Sequence, residues 1–147
     1  MKKALILSVL VIFSFCTVGS AFAAKKAPCP QKRKTVKKAS SSIAKKDKTA
    51  SADKANGKLI YTKTAKPQAC VMCHGKKGNG MGKLGAIMNP KPRNFTCKKT
   101  MKDISAGQMF YVIKNGGKVA KGMPNFKWKN DKEIWDVVKY IRTDLMK

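Results

Sequence analysis

The chain has 147 residues, room for one domain with flanking segments. It carries 33 Lys and Arg against 7 Asp and Glu, a net charge of +26, together with 5 Cys and 1 His. The single histidine excludes any site built on two imidazoles of this chain. The charge makes nucleic acid the default partner, a reading that the N-terminus argues against.

Met1-Lys2-Lys3 is a short positive start, and residues 4–15 form an apolar run broken only by Ser8 and Ser14. Ala21-Phe22-Ala23 then gives an A-x-A pattern, so residues 1–23 read as a secretory signal peptide. The alternative is an uncleaved membrane anchor, because residues 4–24 hold no charge. The strongly apolar part, about 12 residues, is nearer a signal core than a membrane span. Cys16 follows Phe13-Ser14-Phe15, not the small residues expected before a lipid-modified cysteine. Export predicts a periplasmic protein in an oxidising compartment. It leaves little nucleic acid within reach, so no nucleic-acid partner is expected.

Residues 24–54 are expected to be a Lys-rich flexible linker. From 25 to 54 they hold eleven Lys or Arg against Asp47 and Asp53, no aromatic residue, and only Val36 and Ile43 as sizeable aliphatics. Such a composition buries too little apolar surface to offset the entropy of ordering it. It is either a solubilising spacer or an electrostatic attachment to an acidic partner or an anionic membrane surface.

Residues 55–147 form the predicted domain. A first helix is expected over residues 53–63, with Leu59, Ile60 and Tyr61. Directly after it stands "QACVMCHGKK", with Cys70, Cys73 and His74 in a Cys-x-x-Cys-His motif. Three chemistries share that spacing: a redox dithiol, half of a zinc site, and covalent attachment of haem. Zinc would need four ligands, with Cys97 as the fourth, and adjacent Cys73 and His74 sit awkwardly on one tetrahedral ion. A thioredoxin-like dithiol belongs after a strand, and no strand pattern of useful length is visible. Haem attachment uses every residue of the motif. The two thiols add to the haem vinyl groups, and His74 takes the iron from the proximal side.

The stretch "GKKGNGMGKLGAIMNPKPRNFT" follows, with five glycines and two prolines in 22 residues. So long an irregular loop is uncommon in a small domain unless it wraps something that is not protein. A second helix starts at Ser105, with Gln108 completing a capping box, and ends at Gly116-Gly117. A third starts at Asn130, with Glu133 three residues on. It places Ile134, Val138, Ile141 and Leu145 on one apolar stripe, widened by Trp135 and Val137. Between these helices lies "KGMPNF". Met123 stands between a glycine and a proline, whose fixed φ stiffens the loop, and it is the candidate distal iron ligand. Of the other methionines, Met72 is in the attachment loop. Met81, Met88, Met101, Met109 and Met146 lie in less constrained or core positions.

From about residue 55 onward the chain resembles a bacterial monohaem class I cytochrome c. The matching features are "CVMCH", "KPRNF", "MFYVIKNGG", "GMPNF" and "EIWDVVKYIR", in that order. The resemblance implies an all-α fold wrapped around one covalently bound haem c, carried behind a disordered basic N-terminal segment. It implies thioether links at Cys70 and Cys73, with His74 and Met123 as iron ligands. A carbonyl in the 90–92 region would accept the His74 ring N–H. Arg93, Asn94 and Trp128 would approach the haem propionates. Gly57 would make a close helix contact with Tyr61 nearby, faced by Tyr140 or Ile141. The chain departs from the family pattern in its basic tail and in Cys97. Cys29 and Cys97 are the thiols left after export and attachment, and their pairing is a hypothesis.

The expected function is periplasmic one-electron transfer through a His/Met-ligated haem, not enzymatic turnover. Redox partners with acidic docking surfaces are expected, because the domain has twenty Lys or Arg against five Asp or Glu. Lys76, Lys77, Lys121 and Lys127 are the expected contacts. One alternative is a haem enzyme or gas sensor with an open sixth iron position. The other is a haem subunit or basic binding module of a larger membrane redox complex.

Overall fold

The computed structural model describes residues 27–31, 36–126 and 129–147. The signal-peptide expectation for residues 1–23 lies outside the described residues, as do Lys127 and Trp128. The chain is helical. In order come α1 (Ser41–Ala44), α2 (Lys54–Leu59) with a wider turn Ile60–Thr64, α3 (Val71–His74), α4 (Lys98–Met101), α5 (Ala106–Asn115) with a tight turn Gly116–Lys118, and α6 (Asp131–Tyr140) extended by Ile141–Leu145. Among the described residues the strand-like pairing is a single antiparallel bridge between Val36 and Ala120. Among them, too, no helix is long and apolar enough to cross a membrane.

Local side chains start the three main helices. Asp53 accepts from the Ala55 and Asn56 N–H groups at the head of α2. Ser105 accepts from Gln108 N–H ahead of α5, and Asn130 accepts from Glu133 N–H ahead of α6. Each satisfies a donor that the first helical turn leaves open. The Ser105 box is only half formed. The Gln108 side chain does not return to it, for its Oε1 accepts from Ala39 N–H at 2.8 Å and its Nε2 donates to Lys37 O at 3.1 Å.

The helix α2 crosses α6 in the most extensive helix–helix contact of the fold. At the crossing a side chain on Gly57 would collide with the Asp136 carbonyl oxygen, so only glycine lets the two backbones meet. The facing residues are therefore Asp136 and Val137, one turn earlier than the expected Tyr140 or Ile141. Tyr140 does face Tyr61, as expected, with ring centroids 5.3 Å apart. The stripe on α6 is buried as its spacing required, with Ile134, Val138, Ile141 and Leu145 all in the core. Trp135 stacks on Phe110 at 4.6 Å, which joins α6 to α5.

The carboxylate of Asp136 is fully buried. It accepts from Asp53 N–H at 2.7 Å, Asn56 Nδ2 at 2.8 Å and Lys132 Nζ at 3.1 Å, so it staples α6 to the cap of α2. Burial alone would raise its pKa. The hydrogen bonds from Asn56, Asp53 and Lys132 outweigh that and hold the carboxyl below its ordinary value.

The described residues ahead of α2 do not form the flexible linker expected from their composition. They form a strap along the domain, held mainly by polar contacts in place of the apolar burial the segment lacks. Cys29 is joined to Cys97 by a disulfide with Cα atoms 5.5 Å apart. Gln31 N–H donates to Thr100 Oγ1 at 2.9 Å, and Lys37 N–H donates to Val119 O at 3.0 Å. The backbone of α1 lies directly on Gly107, where a side chain would strike Ile43 O. Ser105 Oγ donates to Ala44 O at 2.7 Å, and Lys139 Nζ donates to Ala52 O at 2.9 Å.

Candidate functional site

The Cys-x-x-Cys-His motif folds as one helical turn. His74 N–H donates to Cys70 O at 2.8 Å, and Gly75 ends the turn with φ 79°, a left-handed conformation that favours glycine. The turn brings Cys70, Cys73 and His74 to the wall of one cleft, whose lining also includes Met88, Arg93 and Met123. The cleft encloses about 1090 Å³ of non-atom space counting its open mouth. Its remaining lining is mostly aliphatic and aromatic, from α5, α6 and the loop after α5, with Val36, Tyr61, Phe95 and Ile104 among the rest.

His74 Nδ1 lies 3.1 Å from Arg93 O. A carbonyl can only accept, so Nδ1 carries the proton and the lone pair sits on Nε2. The acceptor was expected within residues 90–92, and the structure places it one residue later. The Pro92 carbonyl is taken by Gln31 Nε2 at 2.9 Å, while the next peptide group turns its Asn94 N–H to Gln31 Oε1 at 2.7 Å and its Arg93 carbonyl to the ring. Phe95 also stacks on the imidazole at 4.7 Å with planes 13° apart.

The thiol environment bears on the two rival chemistries. Cys70 keeps some exposed surface, yet its sulfur is enclosed, and burial pushes its pKa up to about 12. Burial raises Cys73 as well. A reactive dithiol needs the opposite shift. Zinc loses its fourth ligand, since Cys97 is bonded to Cys29. Among the described residues no three or more His, Cys, Asp or Glu side chains are grouped so as to hold a metal ion.

Met123 stands on the loop after α5. Its N–H donates to Ala120 O at 3.1 Å, Gly122 precedes it at φ 82°, and Phe126 N–H donates to Ile113 O at 3.2 Å. Gly116 packs against the Pro124 carbonyl, where a side chain would collide. These contacts fix both ends of the loop. Met101 and Met109 also border the cleft but are buried in the core, and Met88 reaches it from the glycine-rich loop. Met72, Met81 and Met146 do not line it.

Of the residues assigned to propionate contact, Arg93 lines the cleft. Asn94 does not. It is 3% exposed, its Oδ1 accepts from Thr96 N–H and Thr96 Oγ1, and its Nδ2 donates to Pro28 O. Its amide therefore shapes the loop and anchors the strap. Trp128 lies outside the described residues. Lys76, Lys77 and Lys121 are exposed, and Lys121 borders the cleft. Sequence reading missed Phe95, Asp136 and Gln31. Only Phe95 had a local signal, as the aromatic of "KPRNF".

The donor set suits haem. Two thiols sit three residues apart, an imidazole has its tautomer fixed by a carbonyl, and a thioether stands on the wall of the same apolar cleft. No curated protein matches the chain. The family model for cytochrome c matches residues 54–144. That span runs from the first residue of α2 into the last helical turn. Over well more than half its length, the chain thus belongs to the cytochrome c family, whose covalently held haem carries electrons.

Proposed function

We propose that the protein is an exported one-electron carrier with one haem c, held by thioethers at Cys70 and Cys73 and ligated by His74 and Met123. The observation that carries this reading is the shared cleft. Both thiols, the fixed imidazole and Met123 line it together. When bound, the haem supplies the ferrous/ferric couple, and a histidine–methionine ligand pair favours a raised potential. The protein's part is positional. The Arg93 carbonyl and the Phe95 ring hold the imidazole, whose Nε2 would take the iron. The loop pinned by Gly116 and Phe126 presents Met123. With His74 and Met123 both holding the iron, no ligand position would be left for substrate, which favours a carrier over an enzyme or gas sensor.

The disulfide supports an oxidising compartment, in line with the signal-like residues 1–23. The basic domain surface, including Lys76, Lys77 and Lys121, suits acidic redox partners. Electron transfer should then slow steeply with added salt as the attraction is screened. The deciding experiment is spectroscopy of the purified protein made with working haem-attachment machinery. Wild type should give one covalent haem per chain and the long-wavelength ferric band of a thioether–iron bond. Met123→Ala should lose that band and Met88→Ala should keep it. The reverse pattern would transfer the distal role to Met88, and a colourless wild-type protein would end the proposal.

A further inference from the structure

The strap reaches the back of the imidazole's hydrogen-bond partner. His74 Nδ1–H donates to the Arg93 carbonyl. That carbonyl belongs to the peptide group whose N–H is on Asn94, and this same N–H donates to Gln31 Oε1 at 2.7 Å. The other end of the Gln31 amide, Nε2, donates to Pro92 O at 2.9 Å. One side chain thus grips the backbone on both sides of Arg93. Gln31 is itself held. Its N–H donates to Thr100 Oγ1 at 2.9 Å, and Thr100 Oγ1 donates to Cys97 Sγ at 3.1 Å. Cys97 is bonded to Cys29, two residues before Gln31.

We infer that Gln31 is a positioning residue for the haem iron, which sets the reduction potential from outside the haem domain through the Arg93–Asn94 peptide. Hydrogen bonds in series polarise one another. An acceptor on the Asn94 N–H makes the Arg93 oxygen a better acceptor, which draws the Nδ1 proton outward and makes Nε2 a stronger donor to the metal. A stronger donor favours ferric over ferrous iron, so Gln31 holds the potential down. The grip on Pro92 O fixes the peptide plane that aims the carbonyl. The strap supplies a group that residues 55–147 do not supply at this place. The inference rests on His74 being the proximal ligand.

The test compares Gln31→Met with Gln31→Glu in the full-length holoprotein. Gln31→Met keeps the bulk and loses both side-chain hydrogen bonds. Gln31→Glu keeps the acceptor facing Asn94 N–H. The readouts are the midpoint potential, the His74 Nδ1–H resonance of the ferrous protein, and the melting temperature. Gln31→Met should favour the reduced state about threefold over wild type, close to 28 mV at about 59 mV per tenfold for one electron. Its Nδ1–H resonance should move toward that of a weaker hydrogen bond. Gln31→Glu should show no such rise. A folded Gln31→Met protein with wild-type potential and resonance overturns the inference, even if its melting temperature falls. Equal rises in both variants overturn it too, since they would report a loosened strap and not the acceptor. His74→Ala separates this from failure of the underlying reading. An unchanged haem spectrum in that variant would remove His74 as ligand, and the inference with it.

Discussion

The strap and the helical core of this protein are held by different forces. Between α2 and α6 the contact is close-packed, with Tyr61, Ile134 and Val138 almost fully buried and a glycine at the crossing. The strap, residues 27–31 and 36–53, buries only Ala52 in the core. It is fixed at points: a disulfide, two glutamine side chains, a serine and a lysine, each meeting backbone groups or sulfur. A packed interface tolerates the loss of a hydrogen bond and fails when its volume changes. A pinned segment does the opposite.

The largest effect should come from Gly57→Val. A side chain there meets the Asp136 carbonyl, so α2 and α6 must separate. Overpacking of this kind costs about 3 kcal/mol or more. Denaturant unfolding of the holoprotein would measure it, and a change below about 1 kcal/mol would show that the crossing is looser than described. Next comes the double substitution Cys29→Ser with Cys97→Ser. It opens a link across 68 residues and should lower stability by about 2–4 kcal/mol. Amide exchange should rise at Lys37 and Ala39 while the amides of α6 stay protected. Equal loss in both places would mean that strap and core unfold as one unit.

A smaller effect concerns acid. The Asp136 carboxyl has a lowered pKa in the folded protein, so the unfolded state binds its proton first as pH falls. Its contribution is complete above the unfolded value, about 3.9, and is lost as pH drops through the lower folded value. Asp136→Asn should therefore melt lower than wild type near neutral pH, by about 1–3 kcal/mol of stability. The gap should narrow on acidification below about pH 4. Parallel melting curves at all pH values would show that the charge of Asp136 is not what matters. The smallest change is Gln108→Ala, which removes the two contacts to residues 37 and 39. About 1 kcal/mol should be lost locally. It should appear as faster exchange at Ala39 N–H, with the global melting temperature almost unmoved.

The same division explains what could be read in advance. Ser105 and Asn130 cap helices through contacts three residues away, and the stripe on α6 repeats every three or four. Such relations are written along the chain. The attachment motif spans five residues, and Met123 announces itself by a stiff Gly-Met-Pro setting. Composition spoke for a loose tail because residues 25–54 lack the apolar surface that normally orders a segment. It could not register a crosslink and a few side-chain amides doing that work at separations of 61 to 71 residues.

Sequence alone determined the helical class, the covalent haem motif, the capped helix starts and the candidate ligands, because each depends on neighbours within a turn or on a motif in one stretch. Tertiary structure alone decided that Arg93 and not residues 90–92 accepts the imidazole N–H, that Asn94 faces the strap, and that Gln31 closes the relay behind the histidine. Those outcomes depend on which backbone groups meet once distant segments have packed, and no local pattern encodes such a meeting.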